Sequence, residues 1–394
     1  MKILLITTLY PAYLNQSKIE ATYAVHYFAK EWAKKNNVSV MRLFPSYPKL
    51  FRFFNRAKKN NIINNYEDNY SIDGVGVKRV SIRKYPKINY RKIDIQNTAK
   101  NIIKYLVDDN IPDIIICDIL NPSIYVGEII ARKLNIKLVA SLHNSDIFYL
   151  KNNKNYKKYL KTEPTIDRIV FRSNNIERQF WEIYRGEKNK KCFSTILFGI
   201  ESKDIINKEK MEDKLDNRIH EIMVACSLKK LKKIDILIKA FSEMHNRDNY
   251  ILRIIGDGPE RNNLIELSES LGCKSCIIFE GEKDREEVLN YMAKADIFAM
   301  VSTPETFGLV YIEAMAKGCI TIGSKGEGID GVIVDNVNGF LCTPNSVEEL
   351  KVNLEKAVKL NEEDRARIIN NALNTVKGLT YERLASKFLI ESGK

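Results

Sequence analysis

Glu305 and Glu313 stand on either side of a point where a strand pattern gives way to a helical one, in Pro304-Glu305-Thr306-Phe307-Gly308-Leu309-Val310-Tyr311-Ile312-Glu313-Ala314-Met315-Ala316-Lys317-Gly318. The run Asp296–Val301 predicts a buried strand, with Glu305 in the loop after it. Thr306, Phe307, Gly308 and Leu309 are then expected to form the first turn of a helix. Backbone N–H groups of a first turn have no intrahelical acceptor and suit an anion. Glu313 follows one to two turns in, flanked by Val310, Ile312, Ala314 and Met315. A diphosphate at the turn, a sugar at Glu305 and a ribose at Glu313 would satisfy these polar groups together. A helix start with a stray acid is the plainer reading of the pair taken alone.

Three further segments supply chemistry of the same kind. Arg253-Ile254-Ile255-Gly256-Asp257-Gly258 runs from a strand into Gly-x-Gly, where backbone can approach a ligand closely; by itself this is a weak signal. Ala225–Asp235 ends a strand and then carries Lys229, Lys230, Lys232 and Lys233, cations able to neutralise a diphosphate in binding and as it departs; a solvated lysine face is the alternative. Ser141-Leu142-His143-Asn144-Ser145-Asp146 puts His143 at the carboxyl end of the strand Lys137–Leu142, whereas His26, His220 and His245 have no such placement.

The elements that must position these residues alternate throughout. Strands are expected at Lys2–Thr8, Val38–Leu43, Asp113–Cys117, Lys137–Leu142 and Arg168–Phe171, with helices at Ala21–Lys35, Thr98–Asp108, Ile124–Leu134 and Ile176–Ile183 between or after them. The polar stretch 202–218 reads as a linker. The rhythm then restarts with strands at Glu221–Ala225, Ile251–Ile255, Ile277–Glu280 and Ile297–Val301 and helices at Ile234–His245, Asn262–Leu271 and Arg285–Lys294. Late helices are expected at Glu348–Leu360, Glu363–Lys377 and Tyr381–Leu389. The fold class is α/β, as two successive Rossmann-like, doubly wound units with the ligand between them at strand carboxyl ends.

A chain of 394 residues exceeds what one core usually supports. Of its 63 Lys and Arg, 35 lie in the first 200 residues, beside 17 of its 50 Asp and Glu, so that half carries +18 and the rest −5. Such asymmetry points to an anionic partner for the first half. The seven cysteines are odd in number and scattered, which suits reduced thiols; Cys273 and Cys276 form one C-x-x-C without a second pair. No Asp-x-Asp and no His/Cys cluster with metal spacing occurs. No apolar run approaches the roughly 18 residues of a membrane span, and Met1–Thr8 reads as a first strand rather than a signal peptide, so a cytoplasmic protein is expected.

The order Pro-Glu-Thr-Phe-Gly-Leu followed by Glu-Ala-Met-Ala-x-Gly resembles the Glu-x7-Glu signature of family 4 retaining glycosyltransferases, which have the glycosyltransferase B fold. Gly-Asp-Gly-Pro-Glu-Arg at 256–261 and the loop after Gly281 resemble the same family, in which the latter meets the nucleobase. The resemblance implies an N-terminal acceptor-binding domain (1–201), a C-terminal nucleotide-sugar domain (202–378) and a C-terminal helix crossing back (379–394). It implies Glu305 and His143 as catalytic-site residues, and Ser227, Lys232, Gly256, Gly258, Gly281, Thr306, Phe307, Gly308, Leu309 and Glu313 as donor-binding. It implies same-face sugar transfer from a nucleoside diphosphate sugar, UDP-linked by preference, and the missing metal motifs point to a reaction with no metal or other cofactor. The chain departs from the family in four places, one of them Phe198-Gly199-Ile200-Glu201 where members carry Asn-Gly-Ile-Asp. Ser227 stands where members carry Arg, and Lys233 where they carry the Gly of Lys-Gly. The loop 9–19 lacks the usual paired glycines.

Leu50-Phe51-Arg52-Phe53-Phe54-Asn55-Arg56-Ala57-Lys58-Lys59 interleaves aromatic residues with cations, and Lys78–Lys92 adds Arg79, Arg83, Lys84, Lys87 and Arg91. Phe51, Arg52, Phe53, Phe54, Arg56 and Lys58 are therefore expected to meet an acceptor or an anionic membrane surface, such as the inner face of the cell membrane. A polyprenyl-linked or other membrane-borne glycan is the matching acceptor. No nucleic-acid motif accompanies the charge, so no nucleic-acid partner is expected. Gly323–Ile333 and Asn338–Leu341 resemble members acting in bacterial surface polysaccharide assembly. Two rival functions share these features: a sugar-nucleotide epimerase of the same fold, and a sugar-nucleotide-binding protein without turnover.

Overall fold

The computed structural model describes residues 1–16, 22–51, 68–106, 110–152, 166–184, 192–215 and 219–393. They form two compact units. The first comprises Met1–Arg172, Ile176–Ile196 and Leu384–Lys394; the second comprises Ser173–Asn175 and Leu197–Arg383. The chain enters the second unit at Ser173–Asn175 and again at Leu197, and leaves it at Leu384.

The first unit holds an eight-stranded sheet of β1 (Lys2–Thr7), β2 (Asn37–Ser46), β3 (Asn69–Ile72), β4 (Val75–Arg83), β5 (Ile114–Asp118), β6 (Lys137–Leu142), β7 (Arg168–Phe171) and β8 (Phe193–Thr195), in the order β3-β4-β2-β1-β5-β6-β7-β8. Every pair is parallel except β3–β4. That pair is a hairpin absent from the sequence reading. Its turn is Asp73-Gly74, with φ of 49° and 77°, the left-handed pair that a two-residue hairpin turn needs. The second unit holds β9 (Glu221–Ala225), β10 (Ile251–Ile255), β11 (Ile277–Gly281), β12 (Ile297–Ala299), β13 (Ile320–Ser324) and β14 (Phe340–Cys342), all parallel, in the order β11-β10-β9-β12-β13-β14. Strands covered on both faces must be apolar nearly throughout, which is why Leu4-Leu5-Ile6, Ile114-Ile115-Ile116 and Ile297-Phe298-Ala299 are buried without alternation.

Both sheets reverse direction once: between β1 and β5 in the first, and between β9 and β12 in the second. Helices leaving the sheet on opposite sides there leave a crevice beyond the strand ends. The last helix, Tyr381–Gly393, returns to the first unit. Its Phe388 is buried against Phe28 and Trp32, with ring centroids 6.1 and 5.2 Å away. The Trp32 indole donates to the Ala385 carbonyl at 3.0 Å, and the Arg172 guanidinium lies over Phe28 at 4.4 Å.

The basic run Lys78–Lys92 is not one surface. Its start, Lys78–Arg83, lies in β4, where Arg79 is buried with its guanidinium 4.7 Å from the Phe44 ring centroid. Alternation along a strand sends it inward, a reason the sequence reading overlooked by taking the run as surface. Arg83, Lys87, Arg91 and Lys92 are exposed, beside the exposed Leu50 and Ile88. Phe51 is half-buried, 6.2 Å from Tyr85. Arg52, Phe53, Phe54, Arg56 and Lys58 lie outside the described residues.

Candidate active site

In the second unit, the loops that leave β9 and β12 meet at the sheet's reversal. Lys230–Lys232 makes one turn of 3-10 helix, and Lys233 follows with φ +55° before the helix Ile234–Ser242. That left-handed conformation explains the glycine of the family at this position: here lysine carries a strain that glycine would not. Lys229 and Lys230 are exposed, but Lys232 turns inward. Its Nζ lies 2.6 Å from Glu305 Oε2, with the two side chains 19% and 12% exposed. The loops are also joined by main chain, Thr303 N–H donating to the Leu231 carbonyl at 2.9 Å. Lysine and glutamate, assigned to phosphate and sugar separately from sequence, are direct partners.

Glu305 is fixed from several sides. Ser302 Oγ donates to Oε2 at 3.0 Å, and Thr306 N–H donates to Oε1 at 3.1 Å. The Glu305 N–H donates to Glu327 Oε2 at 2.8 Å, and its carbonyl accepts from Gly328 N–H at 3.1 Å. Beyond it the helix starts later than the sequence suggested. It spans Leu309–Ala316, and Gly308 is its N-cap at φ 78°. Thr306 and Phe307 therefore precede the helix, because the left-handed residue breaks the run that would have included them. Phe307 is buried against Phe198, with centroids 6.2 Å apart, so only its main chain can face a ligand. Gly308 also has no room for a side chain: a Cβ there would lie 2.4 Å from the Tyr311 ring.

Glu313 is held by Arg285, whose Nε donates to its Oε1 at 2.8 Å; Arg285 Nη2 reaches Asp204 Oδ2 at 2.7 Å. Burial pushes the Glu313 carboxyl up, Arg285 opposes this, and Asp204 adds to it. A carboxylate in this setting gains from hydroxyl donors. Gly256 and Gly258 are glycine for a reason internal to the fold. A Cβ would fall 1.9 Å from the Cys226 carbonyl oxygen at the first and 2.5 Å from the Leu228 carbonyl oxygen at the second. The Gly-x-Gly loop thus packs on the β9 loop that carries Ser227, an exposed residue. Gly281, at φ 76°, accepts from Gly256 N–H at 2.7 Å. Burial pushes the neighbouring Cys226 thiol up to about 12.

In the first unit, His143 lies just past β6 and is buried. Its Nε2 is 3.1 Å from Oδ1 of Asp118, the last residue of β5. The carboxylate can only accept, so this contact puts the ring proton on Nε2. Burial alone would raise the Asp118 carboxyl, but His143, with Arg172 and Ser141, holds it below its ordinary value. Asp146 pins the turn, accepting from His143 N–H at 2.8 Å and Leu120 N–H at 2.9 Å. Burial pushes its carboxyl up to about 6 against those donors. Asp118, Asp146, Arg285, Ser302 and Glu327 were not singled out from sequence. Glu327 and Arg285 each fell in a quoted loop, but only three-dimensional pairing distinguishes them from other surface charges.

The family profile described as glycosyl transferases group 1 matches residues 206–375, and one described as glycosyl transferase 4-like matches residues 61–174. The chain carries a glycosyl transferases group 1 domain and a glycosyl transferase 4-like domain: it is a glycosyltransferase. The first match contains Lys232, Arg285, Glu305, Glu313 and Glu327, the second Asp118 and His143. This glycosyltransferase is 27% identical to an uncharacterized glycosyltransferase of Methanocaldococcus jannaschii, over 78% of this chain and 82% of that protein. It is also 27% identical to the N-acetyl-alpha-D-glucosaminyl L-malate synthase of Bacillus anthracis, over 52% of this chain and 54% of that protein. Among solved structures, Anabaena HepE in complex with UDP superimposes with a TM-score of 0.71 at 18% identity, covering 99% of each chain. WaaG, a glycosyltransferase involved in lipopolysaccharide biosynthesis, superimposes with a TM-score of 0.66 at 16% identity over 100% of each chain. These likenesses give the glycosyltransferase its fold, two Rossmann-like parallel-sheet domains of the glycosyltransferase B type.

Proposed function

We propose that this glycosyltransferase moves a sugar from a UDP-sugar, with retention at the anomeric carbon, to a glycan or lipid-linked glycan used in cell-surface polysaccharide synthesis. The observation that carries this is the Lys232–Glu305 pair set beside the amides that open the Leu309–Ala316 helix. A cation and N–H groups suit the diphosphate, and a fixed carboxylate suits sugar hydroxyls. Glu313 is the ribose partner, reached when Arg285 yields one carboxylate oxygen. His143 of the first unit, oriented by Asp118, is assigned a catalytic-site role as well. The leaving diphosphate accepts the proton of the attacking hydroxyl, so the protein's share is orientation and charge stabilisation. Lys232 and the helix amides take the role a metal has elsewhere, and no metal is required.

HepE has been solved with UDP-glucose, and WaaB is described as a lipopolysaccharide outer core galactosyltransferase. Relatives include the alpha-monoglucosyldiacylglycerol synthase of Streptococcus pneumoniae, 33% identical over 28% of this chain. The lipopolysaccharide core glycosyltransferase LpsE of Rhizobium meliloti is 30% identical over 32%. They support a glycolipid acceptor, and the exposed Leu50, Ile88 and cations of the first unit support work at an anionic membrane face. Among the described residues no helix is long and apolar enough to cross a membrane.

Incubation with a panel of UDP- and GDP-sugars tests the proposal. Slow release of UDP from one UDP-sugar is expected, at a rate unchanged by EDTA, and the anomeric proton coupling of a transfer product is expected to match the donor. A second sugar nucleotide as product, or inversion at the anomeric carbon, contradicts it.

A further inference from the structure

Both oxygens of the Glu327 carboxylate bind the loop that carries Glu305. Its Oε2 accepts the Glu305 N–H at 2.8 Å, and its Oε1 accepts the Thr303 hydroxyl at 2.6 Å. The next residue completes the grip: Gly328 N–H donates to the Glu305 carbonyl at 3.1 Å. Both main-chain polar groups of Glu305 are thereby tied to two consecutive residues of another loop. That loop is itself closed, Asp330 Oδ2 accepting from Gly326 N–H at 2.6 Å. Gly328 presses so closely on Thr306 and Phe307 that a Cβ would lie 2.0 Å from the Thr306 carbonyl oxygen. The loop leaves β13, the neighbour of β12 on the side away from β9. Glu305 is therefore set from two directions: its carboxylate by Lys232 of the β9 loop, and its main chain by Glu327 of the β13 loop.

We propose that Glu327 is a positioning residue for Glu305, acting on transfer without touching the donor; this rests on the sugar-binding role of Glu305 proposed above. A loop carboxylate flanked by helix-capping and turn residues has several main-chain conformations open to it. Reaction through an oriented sugar loses about a hundredfold for a misplacement of about 1 Å. Two charge-assisted bonds from one rigid carboxylate select a single conformation. Glutamine at 327 keeps an oxygen for the Glu305 N–H and an amide for the Thr303 oxygen, so it preserves the clamp in shape; alanine removes it.

The test compares Glu327→Gln, Glu327→Ala, Thr303→Val, Glu305→Ala and the Glu305→Ala/Glu327→Ala double variant in the full chain. The readouts are kcat, donor KM and thermal midpoint, with residual UDP-sugar hydrolysis for the inactive variants. Glu327→Ala is expected to lower kcat about 30- to 100-fold with donor KM within about threefold. Glu327→Gln is expected to restore kcat to within about tenfold of the unaltered enzyme, and Thr303→Val to fall between them. In the Glu305→Ala background, Glu327→Ala is expected to cost nothing further, because a residue that acts through another is silent once that other is gone. A raised KM at unchanged kcat, or an additive loss in the double variant, overturns the proposal. If Glu327→Ala fails to fold, Thr303→Val and Glu327→Gln decide in the same way: kcat equal to the unaltered enzyme in the first, or lost in the second, contradicts it. An active Glu305→Ala enzyme sinks the role of Glu305 itself. An inactive Glu305→Ala beside a fully active Glu327→Ala sinks only the role of Glu327.

Discussion

Glu305→Ala is expected to lower kcat for sugar transfer by a factor of about 10³, while UDP affinity stays within about threefold. The carboxylate faces Lys232 Nζ at 2.6 Å, Ser302 Oγ at 3.0 Å and Thr306 N–H at 3.1 Å. Four lone-pair sites thus hold three donors, which leaves room for a sugar hydroxyl. Removing it loses sugar orientation and leaves a lysine freed for the diphosphate, so nucleotide binding has no reason to weaken. Lys232→Met is the contrasting variant: it removes the cation, and UDP affinity and kcat should fall together. Titration calorimetry with UDP and a UDP-release assay separate the two cases. Unchanged turnover in Glu305→Ala would remove that residue from the chemistry.

Gly328→Ala is the second large effect. A Cβ at this position would lie 2.0 Å from the Thr306 carbonyl oxygen, 2.3 Å from its carbon and 2.5 Å from the Phe307 nitrogen. All three atoms are main chain, so no side-chain rotation relieves the contact and the Glu305–Gly308 segment must move. Overpacking of this kind costs about 1–3 kcal/mol, and displacement of the carboxylate costs transfer about a hundredfold. Gly76→Ala is the matched control: a Cβ there meets nothing within 4 Å, and the change should stay within about 0.5 kcal/mol. Denaturant melts and initial rates of the two variants provide the comparison, and a Gly328→Ala enzyme as stable and active as Gly76→Ala would refute it.

The apolar runs were enough to place the strands that matter. Lys137–Leu142, Arg168–Phe171, Glu221–Ala225 and Ile251–Ile255 have the same bounds in sequence and structure, because a strand buried on both faces leaves few polar residues to blur its ends. The β3–β4 hairpin went unread although Asp73-Gly74 announced it. β3, Asn69–Ile72, is half-polar, four residues long and at the sheet edge, where burial does not enforce a pattern, and part of β4 fell in a run read as basic surface. In the site, the Glu305/Glu313 spacing was visible because both residues lie on one continuous segment. The partners of those residues were not. Glu327 is 22 positions from Glu305, Lys232 is 73 away, and Asp204 is 81 from Arg285. Only the order of parallel strands brings such residues together. The late helix start at Leu309 shows the opposite failure: Gly308 was read as part of the first helical turn, when its left-handed conformation sets it before the helix.

The central claim is that the donor's diphosphate rests on the amides opening the Leu309–Ala316 helix, with Lys232 beside it and the sugar on Glu305. A crystal structure of the protein with an intact UDP-sugar tests this most directly. The expected result is phosphate oxygens within hydrogen-bond distance of the Leu309 and Val310 amides and of Lys232 Nζ, with a sugar hydroxyl on Glu305 and the ribose on Glu313. A nucleotide bound elsewhere, with the Lys232–Glu305 pair intact at 2.6 Å and no ligand atom on that helix end, would contradict it.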